Sequence, residues 1–129
     1  MKISRNWLQT FFEDELRPVT GIDILAEPID RDRDFTIISN GKDSTLLYRF
    51  EDAQMSLSPG LATLTGCPHV ELISANRSGE KDTAEFYKEF REKFRVPRQL
   101  CSAVYDNDPY IRHFYSGTEI DAFKARWTD

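Results

Sequence analysis

Glycine is scarce in this chain, and its placement excludes three common nucleotide-binding or catalytic motifs. The six glycines lie at positions 21, 41, 60, 66, 79 and 117. No two are separated by a single residue, so the G-x-G-x-x-G fingerprint of dinucleotide-binding folds is absent. A P-loop is excluded because Asp43 follows the Gly-Lys pair at 41–42 and Thr36 stands where the motif needs its first glycine. No G-x-S-x-G nucleophile elbow occurs either.

Cysteine is rarer still, since the chain has only Cys67 and Cys101, too few for a disulfide framework. No apolar h-region or small-residue cleavage site marks the N-terminus, so a secretory signal is not expected and a cytoplasmic protein with reduced thiols is predicted. Cys67 and His69 could offer two zinc ligands. A structural zinc site needs four, and no second pair stands at ligand spacing, so we predict no metal site there.

Long apolar runs and an excess of positive charge are also missing. No apolar run is long enough for a membrane-spanning helix. The net charge of −5 argues against a nucleic-acid partner, which requires a basic face. The 129 residues are 40% hydrophobic and 12% aromatic, which is too apolar for disorder and sufficient for one core. We therefore predict a single domain over residues 1–129.

The stretch IDRDRDF (29–35) places three aspartates at alternate positions, as the start of an EF-hand calcium loop does. Counting from Asp30, the sixth position is Phe35 and the twelfth is Gly41. The loop requires glycine at the sixth and glutamate at the twelfth, and the two interleaved arginines would neutralise the site. A solvated turn before a strand is the favoured interpretation.

The N-terminal part is predicted to form one helix and a β-hairpin. Apolar residues recur at three- and four-residue spacing, which predicts an amphipathic helix over residues 4–16, ended by Pro18. FTIIS (35–39) and STLLYRF (44–50) are rich in β-branched and aromatic residues, as strands are. Asn40-Gly41 between them is a reverse-turn dipeptide, so a hairpin is expected.

A short helix is expected next, opened by Ser58-Pro59 and closed by Gly66. HVELIS (69–74) is a third strand candidate. The rest is predicted helical, with helix starts expected at Asp82, Pro97 and Thr118. The predicted class is thus α/β or α+β, with a helix, a small sheet with a hairpin, and a helical C-terminal half.

An aromatic stripe at helical spacing marks the helix that follows Asp82. It consists of Phe86, Tyr87, Phe90 and Phe94. Such stripes are more often core than cofactor site, so we expect this one to be packed inside the domain.

Histidine offers the one candidate general base. His113 lies between Arg112 and Phe114, and an imidazole near neutral pKa could exchange protons with a neighbouring carboxylate. A partly buried histidine that anchors a helix is the alternative. The sequence contains no complete catalytic constellation.

Three segments together resemble a known family. They are FFEDELRPVTGIDILAEPIDRDRDFTII, LLYRFEDA, and FYKEFREKFRVPRQLCSAVYDNDPYIRHFYSGTEIDAFKARW. In this order they resemble the C-terminal part of bacterial sulfotransferase-like proteins, nearest to a capsular polysaccharide synthesis family named for an Asn-Lys-Trp-Tyr-Ser motif. The resemblance extends from about Trp7 to Trp127, and its most specific element is the ending HFYS…E…F…RW.

The resemblance implies a three-layer α/β fold and sulfuryl transfer from 3′-phosphoadenosine 5′-phosphosulfate to a sugar hydroxyl. The loop that cradles the 5′-phosphosulfate normally precedes the matched region, as does an Arg…Ser pair for the 3′-phosphate. We therefore expect this chain alone to bind no donor cofactor. The motif region corresponds to residues 76–87, where Asn76, Lys81 and Tyr87 could match and the tryptophan is missing.

Two functions are therefore expected from the sequence. The first is a sulfotransferase-like role in surface polysaccharide modification, with a carbohydrate acceptor bound at strand ends. The substrate-binding candidates are Arg49, Glu51, Asp52, Asn76 and Arg77, since ligands of open α/β sheets collect at the carboxyl ends of strands. A structural Arg49–Glu51 ion pair is the alternative role for the first two.

The second is a non-catalytic interaction module. A partial sheet leaves strand edges and apolar surface uncovered, and association with a second copy or a partner chain would cover them. A small enzyme built on His113 is a third possibility.

Overall fold

The structure, a computed structural model, describes residues 5–73, 75 and 82–129. The N-terminal helical segment consists of three successive pieces: α1 (Trp7–Thr10), a π-helical stretch (Phe11–Leu16) and α2 (Arg17–Thr20). Asn6 caps its start in a capping box with Gln9, and Gly21 ends it in the left-handed conformation, with φ of 74°.

Pro18 lies inside this helical segment, so the prediction that it ends the helix is wrong. In the π-helical stretch the N–H of Arg17 donates to the carbonyl of Phe12, five residues back. This wider turn gives the Pro18 ring room that a regular α-helix lacks, where the ring clashes with the carbonyl four residues earlier. The helix therefore continues for another turn to Thr20.

The predicted hairpin is confirmed. Strands β1 (Phe35–Ser39) and β2 (Ser44–Tyr48) pair antiparallel, with Ile37 opposite Leu46. The Asn40 side-chain oxygen accepts from the backbone N–H groups of Lys42 and Asp43, which holds the turn. Residues 69–73 form no strand, so the third strand candidate is wrong over that range, and the sheet described here has two strands. Position 74 lies outside the described residues.

Helix α3 (Ala53–Thr65) packs across the hairpin and ends at Gly66, as predicted. It begins five residues before Ser58, with a proline inside it, so the predicted start is wrong. The helix packs closely on the sheet, since a Cβ added at Gly60 would lie 2.8 Å from Cδ1 of Leu46. The backbone of the helix therefore rests directly on the sheet, a tertiary contact that the local start signals do not contain.

Four helices form the C-terminal part: α4 (Ala84–Lys93), α5 (Arg98–Asn107), α6 (Pro109–Phe114) and α7 (Gly117–Trp127). The predicted start at Pro97 is confirmed, because Pro97 is the N-cap of α5. The expected cap of α7 at Thr118 is two residues late, since Ser116 forms the capping box with Glu119. The N-cap of α4 is Thr83, with no side-chain capping bond, so the start at Asp82 is wrong by one residue.

The core lies where the N-terminal helical segment, the hairpin and α6 meet. Its buried members are Phe12, Ile22, Ile24, Ile38 and Tyr110. Leu8, Leu16, Leu25, Leu47 and Phe114 pack against them as partly buried neighbours. The predicted class, a helix followed by a small hairpin sheet and a helical C-terminal half, is confirmed. The described part contains no parallel strands, so the three-layer arrangement implied by the resemblance is not seen in it.

The aromatic stripe of α4 is exposed, so the prediction that it belongs to the core is wrong. Phe86 is 72% exposed, and every residue of α4 after the first is exposed. Within the described part α4 is tied down mainly at its C-terminal end, where Phe94 lies edge-on to Trp127 and the Val96 N–H donates to the Trp127 carbonyl at 2.7 Å. No element covers the stripe there, because α5 and α7 pack against each other instead.

Candidate functional site

A cleft of 250 Å³ opens beside the hairpin and is the candidate functional site. We call it the hairpin cleft. Its lining comes from the N-terminal helical segment (Leu8, Phe12), the stretch 29–36 except Asp32, the end of β2 (Leu47, Tyr48, Arg49, Phe50) and the α6 region (Ile111, Phe114, Tyr115). Four separate parts of the chain therefore converge here.

The hairpin cleft is apolar inside and charged at its rim. Its buried and partly buried members include Leu8, Phe12, Leu47 and Phe114, so the inner wall is continuous with the core. Exposed charged side chains of both signs come from the stretch 29–35. Such a mixture, an apolar interior with a few polar groups, is typical of small-molecule sites.

The IDRDRDF stretch forms the predicted exposed turn, with the Asp30 carboxylate accepting from the Asp32 N–H at 3.0 Å. In the part of the chain that the structure describes, no three His, Cys, Asp or Glu residues are grouped as a metal site would need. Arg31 donates to the carbonyl of Arg112 at 2.8 Å and so fastens the turn to α6. The turn thereby becomes one wall of the cleft, a role that sequence reasoning missed.

Arg49 lies at the centre of an ion-pair network at the end of β2. Its guanidinium contacts Asp52 and Glu119, each at 2.7 Å, and lies 5.4 Å from the centre of the Tyr115 ring. The side chain is 23% exposed. Burial acts to lower the pKa of Arg49, but the hydrogen bond and charge of Asp52, joined by Glu119, raise it overall. Arg49 therefore forms structural ion pairs, but its partners are Asp52 and Glu119 and not Glu51, as the alternative prediction had it.

Glu51 bonds to Tyr115 instead, whose hydroxyl donates to the carboxylate at 2.8 Å. Burial raises the pKa of Tyr115, and the bond to Glu51 raises it further, so the phenol remains a proton donor near neutral pH. The glutamate itself is exposed. Its second carboxylate oxygen has no bond to the residues that the structure describes, so it can accept from a ligand hydroxyl.

The stability that Glu119 contributes should depend on pH. The Ser116 backbone N–H lowers the pKa of this carboxyl, and Arg49 lowers it further. Because the folded pKa lies below the unfolded one, the contribution is fully present above about pH 4.3 and is lost as the pH falls through the folded pKa. We expect Glu119→Gln to lower the free energy of unfolding at pH 7 and to have less effect at pH 3.

Urea titrations of both proteins at the two pH values would measure this difference. Glutamine can keep the capping-box hydrogen bond, so the substitution removes the negative charge of residue 119 and leaves that bond in place. Glu15→Gln is the matched control, since Glu15 is an exposed helical glutamate with no ion pair among the described residues. An equal loss at both pH values for Glu119→Gln would contradict the prediction.

Of the predicted site residues Arg49, Glu51 and Asp52, only Arg49 lines the cleft, and the others predicted stand apart from it or lie outside the described residues. Asn76 and Arg77 lie outside the described residues, as does Lys81. His113 does not line the cleft; its Nε2 is buried without a hydrogen-bond partner in the described part, and its ring lies edge-on to Phe114 at 5.6 Å. Catalysis by His113 stays a prediction, with no carboxylate bonded to it there.

Sequence reasoning placed Arg49, Glu51 and Asp52 in one segment but missed their partners further along the chain, Tyr115 just before α7 and Glu119 within it. Tyr115 and Glu119 lie more than sixty positions further along the chain. The available signal was the HFYS…E ending, which contains both residues. Phe50, an 86% exposed ring on the cleft lining, had no signal beyond an exposed aromatic at a strand end.

The structure shows a small α+β fold whose candidate site is a cleft with an apolar interior and a charged rim. A family model described as "Putative capsular polysaccharide synthesis protein" matches residues 1–116, which is most of the chain. The chain belongs to that family. No curated protein and no solved structure matches it. None of the described helices is both long enough and apolar enough to cross a bilayer.

Proposed function

We propose that this chain is a sulfotransferase-like protein of capsular polysaccharide modification, and that the hairpin cleft binds a sugar unit of the acceptor. The observation that carries the proposal is the placement of Phe50. An aromatic ring left 86% exposed stands at a cleft whose rim carries both carboxylates and arginines. Membership of the capsular polysaccharide synthesis family supports the choice of a carbohydrate.

The chemistry of the rim suits hydroxyl groups. Asp34 carries carboxylate oxygens that accept from sugar hydroxyls, and Arg33 can donate to ring and hydroxyl oxygens. Glu51 does not line the cleft, but its carboxylate is bonded to the lining residue Tyr115 and offers a further acceptor beside it. The faces of Phe50 and Tyr48 can cover the less polar face of a sugar ring, since aromatic rings supply large contact area. Arg49 and Asp52 would hold this end of β2 in shape.

The size of the cleft favours the acceptor over the donor. Its 250 Å³ lies just below the range of about 300–1,000 Å³ found for drug-sized ligands, so one ring-sized group fits more readily than a nucleotide with its phosphates. An activated sulfate also needs backbone amides and free cations aimed at its oxygens. Of the three arginines that line the cleft, Arg49 is already paired with two carboxylates and Arg31 is bonded to α6, which leaves Arg33 as a single cation for the several oxygens of a donor. We therefore propose no donor cofactor on this chain alone.

Phe50→Ala tests the proposal. Affinity for capsular oligosaccharides, measured by calorimetry over a panel with neutral and acidic sugar units, should fall at least about tenfold, as for removal of a central aromatic anchor. Stability should change little, because the ring is mostly exposed. The desulfated nucleotide 3′-phosphoadenosine 5′-phosphate should not bind with micromolar affinity.

Met55→Ala is the matched control. Met55 is 69% exposed and lies five residues further along, but it does not line the cleft. Its loss should leave oligosaccharide binding unchanged. Equal binding by the wild type and Phe50→Ala, or failure of the whole panel to bind, would exclude the hairpin cleft as the acceptor site. Tight binding of the nucleotide would instead place the donor on this chain.

A non-catalytic interaction module is the second candidate function. It is favoured by a different observation, the exposed aromatic stripe of α4.

A further inference from the structure

The exposed stripe of α4 is a continuous apolar surface remote from the hairpin cleft. Its four members are Phe86 (72% exposed), Tyr87 (47%), Phe90 (43%) and Phe94 (42%). Phe90 and Phe94 stack with ring centroids 4.6 Å apart, so these two rings form one joined face. Residues 86, 89, 90, 93 and 94 line a shallow groove along it. Contiguous apolar patches of this kind mark interaction sites.

The charges of α4 are arranged so that the helix complements itself when reversed. Its first half has a net charge of −1, from Glu85, Lys88 and Glu89, and its second half has a net charge of +1, from Arg91, Glu92 and Lys93. In an antiparallel pair the acidic start of one helix faces the basic end of the other, at both ends at once. The helix dipoles also oppose each other favourably in that arrangement. A two-fold axis through the middle of α4 satisfies these conditions with one surface.

A membrane surface is a poorer match for the same stripe. Interfacial helices are rich in Lys and Arg on their polar face, which draws them to anionic lipids. Helix α4 has three acidic and three basic residues, and the whole chain carries a net charge of −5. Attraction to anionic lipid is therefore not expected, whereas balanced charges suit a second copy of the same helix.

We propose that the α4 stripe is a homodimer interface, in which α4 packs antiparallel against α4 of a second copy. Phe90, near the middle of the stripe, would lie close to the two-fold axis. The inference does not depend on what the hairpin cleft binds, because the stripe and the cleft share no residue.

The available area sets the expected strength of the dimer. Aromatic side chains present about 150–250 Å² each, so four that are roughly half exposed offer about 400 Å² per copy. A pair then buries about 800 Å² before flanking charged stems are added, against about 1,600 Å² for a standard interface. We expect a reversible dimer that forms in the micromolar range.

Sedimentation velocity over a concentration series into the high micromolar range tests the proposal. The wild type should shift from monomer to dimer, and Phe90→Glu should raise the dissociation constant at least about tenfold, by placing two like charges at the axis. Phe50→Glu is the matched control, since it changes an exposed aromatic ring outside the stripe and should leave dimerisation unchanged. Circular dichroism checks that each variant keeps its helices.

Charge reversal provides a second readout that does not remove an aromatic ring. Glu85→Lys places a basic residue opposite the basic last turn of the other copy and should weaken the dimer. Adding Lys93→Glu to the same chain should restore it, because the reversed pattern is again self-complementary. A wild type that stays monomeric at all concentrations would overturn the proposal, as would a monomer whose stripe binds vesicles of anionic lipid or a dimer that Phe90→Glu leaves intact.

Discussion

Phe12→Ala should lower the free energy of unfolding by about 3–5 kcal/mol, the usual cost of removing a buried phenylalanine. Phe12 is 9% exposed, and its ring lies 5.1 Å from that of Tyr110 and 6.1 Å from that of Phe114, measured between centroids. These three rings join the N-terminal helical segment to α6. Removal of the Phe12 ring would leave a cavity at the centre of the core. Phe12 also lines the hairpin cleft. Urea unfolding followed by circular dichroism measures the effect.

Phe11→Ala is the control for that prediction. Phe11 is the adjacent residue on the same π-helical stretch, but it is 37% exposed and lies outside the core cluster. Its removal should cost less than about half as much, since less apolar area returns to water. Equal losses for the two variants would mean that the core does not depend on Phe12 as described.

Asp108→Ala should lower the free energy of unfolding by about 2–5 kcal/mol. The side chain is 4% exposed and caps α6 by accepting from the backbone N–H groups of Tyr110 and Ile111. Its other oxygen accepts from the side-chain amide of Asn6, at the start of the N-terminal helical segment. Losing a helix cap costs about 1–2 kcal/mol. Leaving the partly buried amide of Asn6 without its acceptor adds about 1–3 kcal/mol.

Asp108→Asn separates these two contributions. Asparagine is as good an N-cap as aspartate, so the bonds to α6 should survive. Its amide nitrogen cannot accept from Asn6, so the long-range bond should be lost. We therefore expect Asp108→Asn to be less stable than the wild type and more stable than Asp108→Ala in thermal and urea unfolding. A loss as large as that of the alanine variant would refute a separate contribution of the cap.

The elements that could be predicted are those whose signals are local. The Asn40-Gly41 turn favours a hairpin through the conformations that its own residues adopt. Gly66 ends α3 because a residue without a side chain enters the left-handed conformation, with φ of 74° here, at no steric cost. Neither signal requires knowledge of what the element packs against.

The failures share a different cause. Pro18 was predicted to end a helix, and it lies in one because the preceding π-helical turn makes room for its ring. The start of α3 was placed too late because Ser58-Pro59 was interpreted as a helix start, whereas this proline lies inside the helix. The aromatic stripe was expected in the core because its residues recur at helical spacing. That prediction failed because periodicity shows that a helix has an apolar face but not what covers that face.

The candidate site shows the same division. Arg49, Glu51 and Asp52 could be named because they follow a strand in one short segment. Their assignment to partners could not be predicted, because Tyr115 and Glu119 reach them only through the folding of α6 and α7 against the end of the hairpin. The charged IDRDRDF turn was interpreted as solvated, which its exposure bears out, yet it also walls the cleft.

By itself the amino-acid sequence determined the family, the hairpin, the helical C-terminal half and the absence of a P-loop, because these depend on residue type, spacing and local turn chemistry. Only the tertiary structure decided which apolar face is buried, which carboxylates Arg49 contacts and where a cleft opens. Burial and pairing depend on contacts between segments distant along the chain, and those contacts are made by packing, which no local pattern specifies.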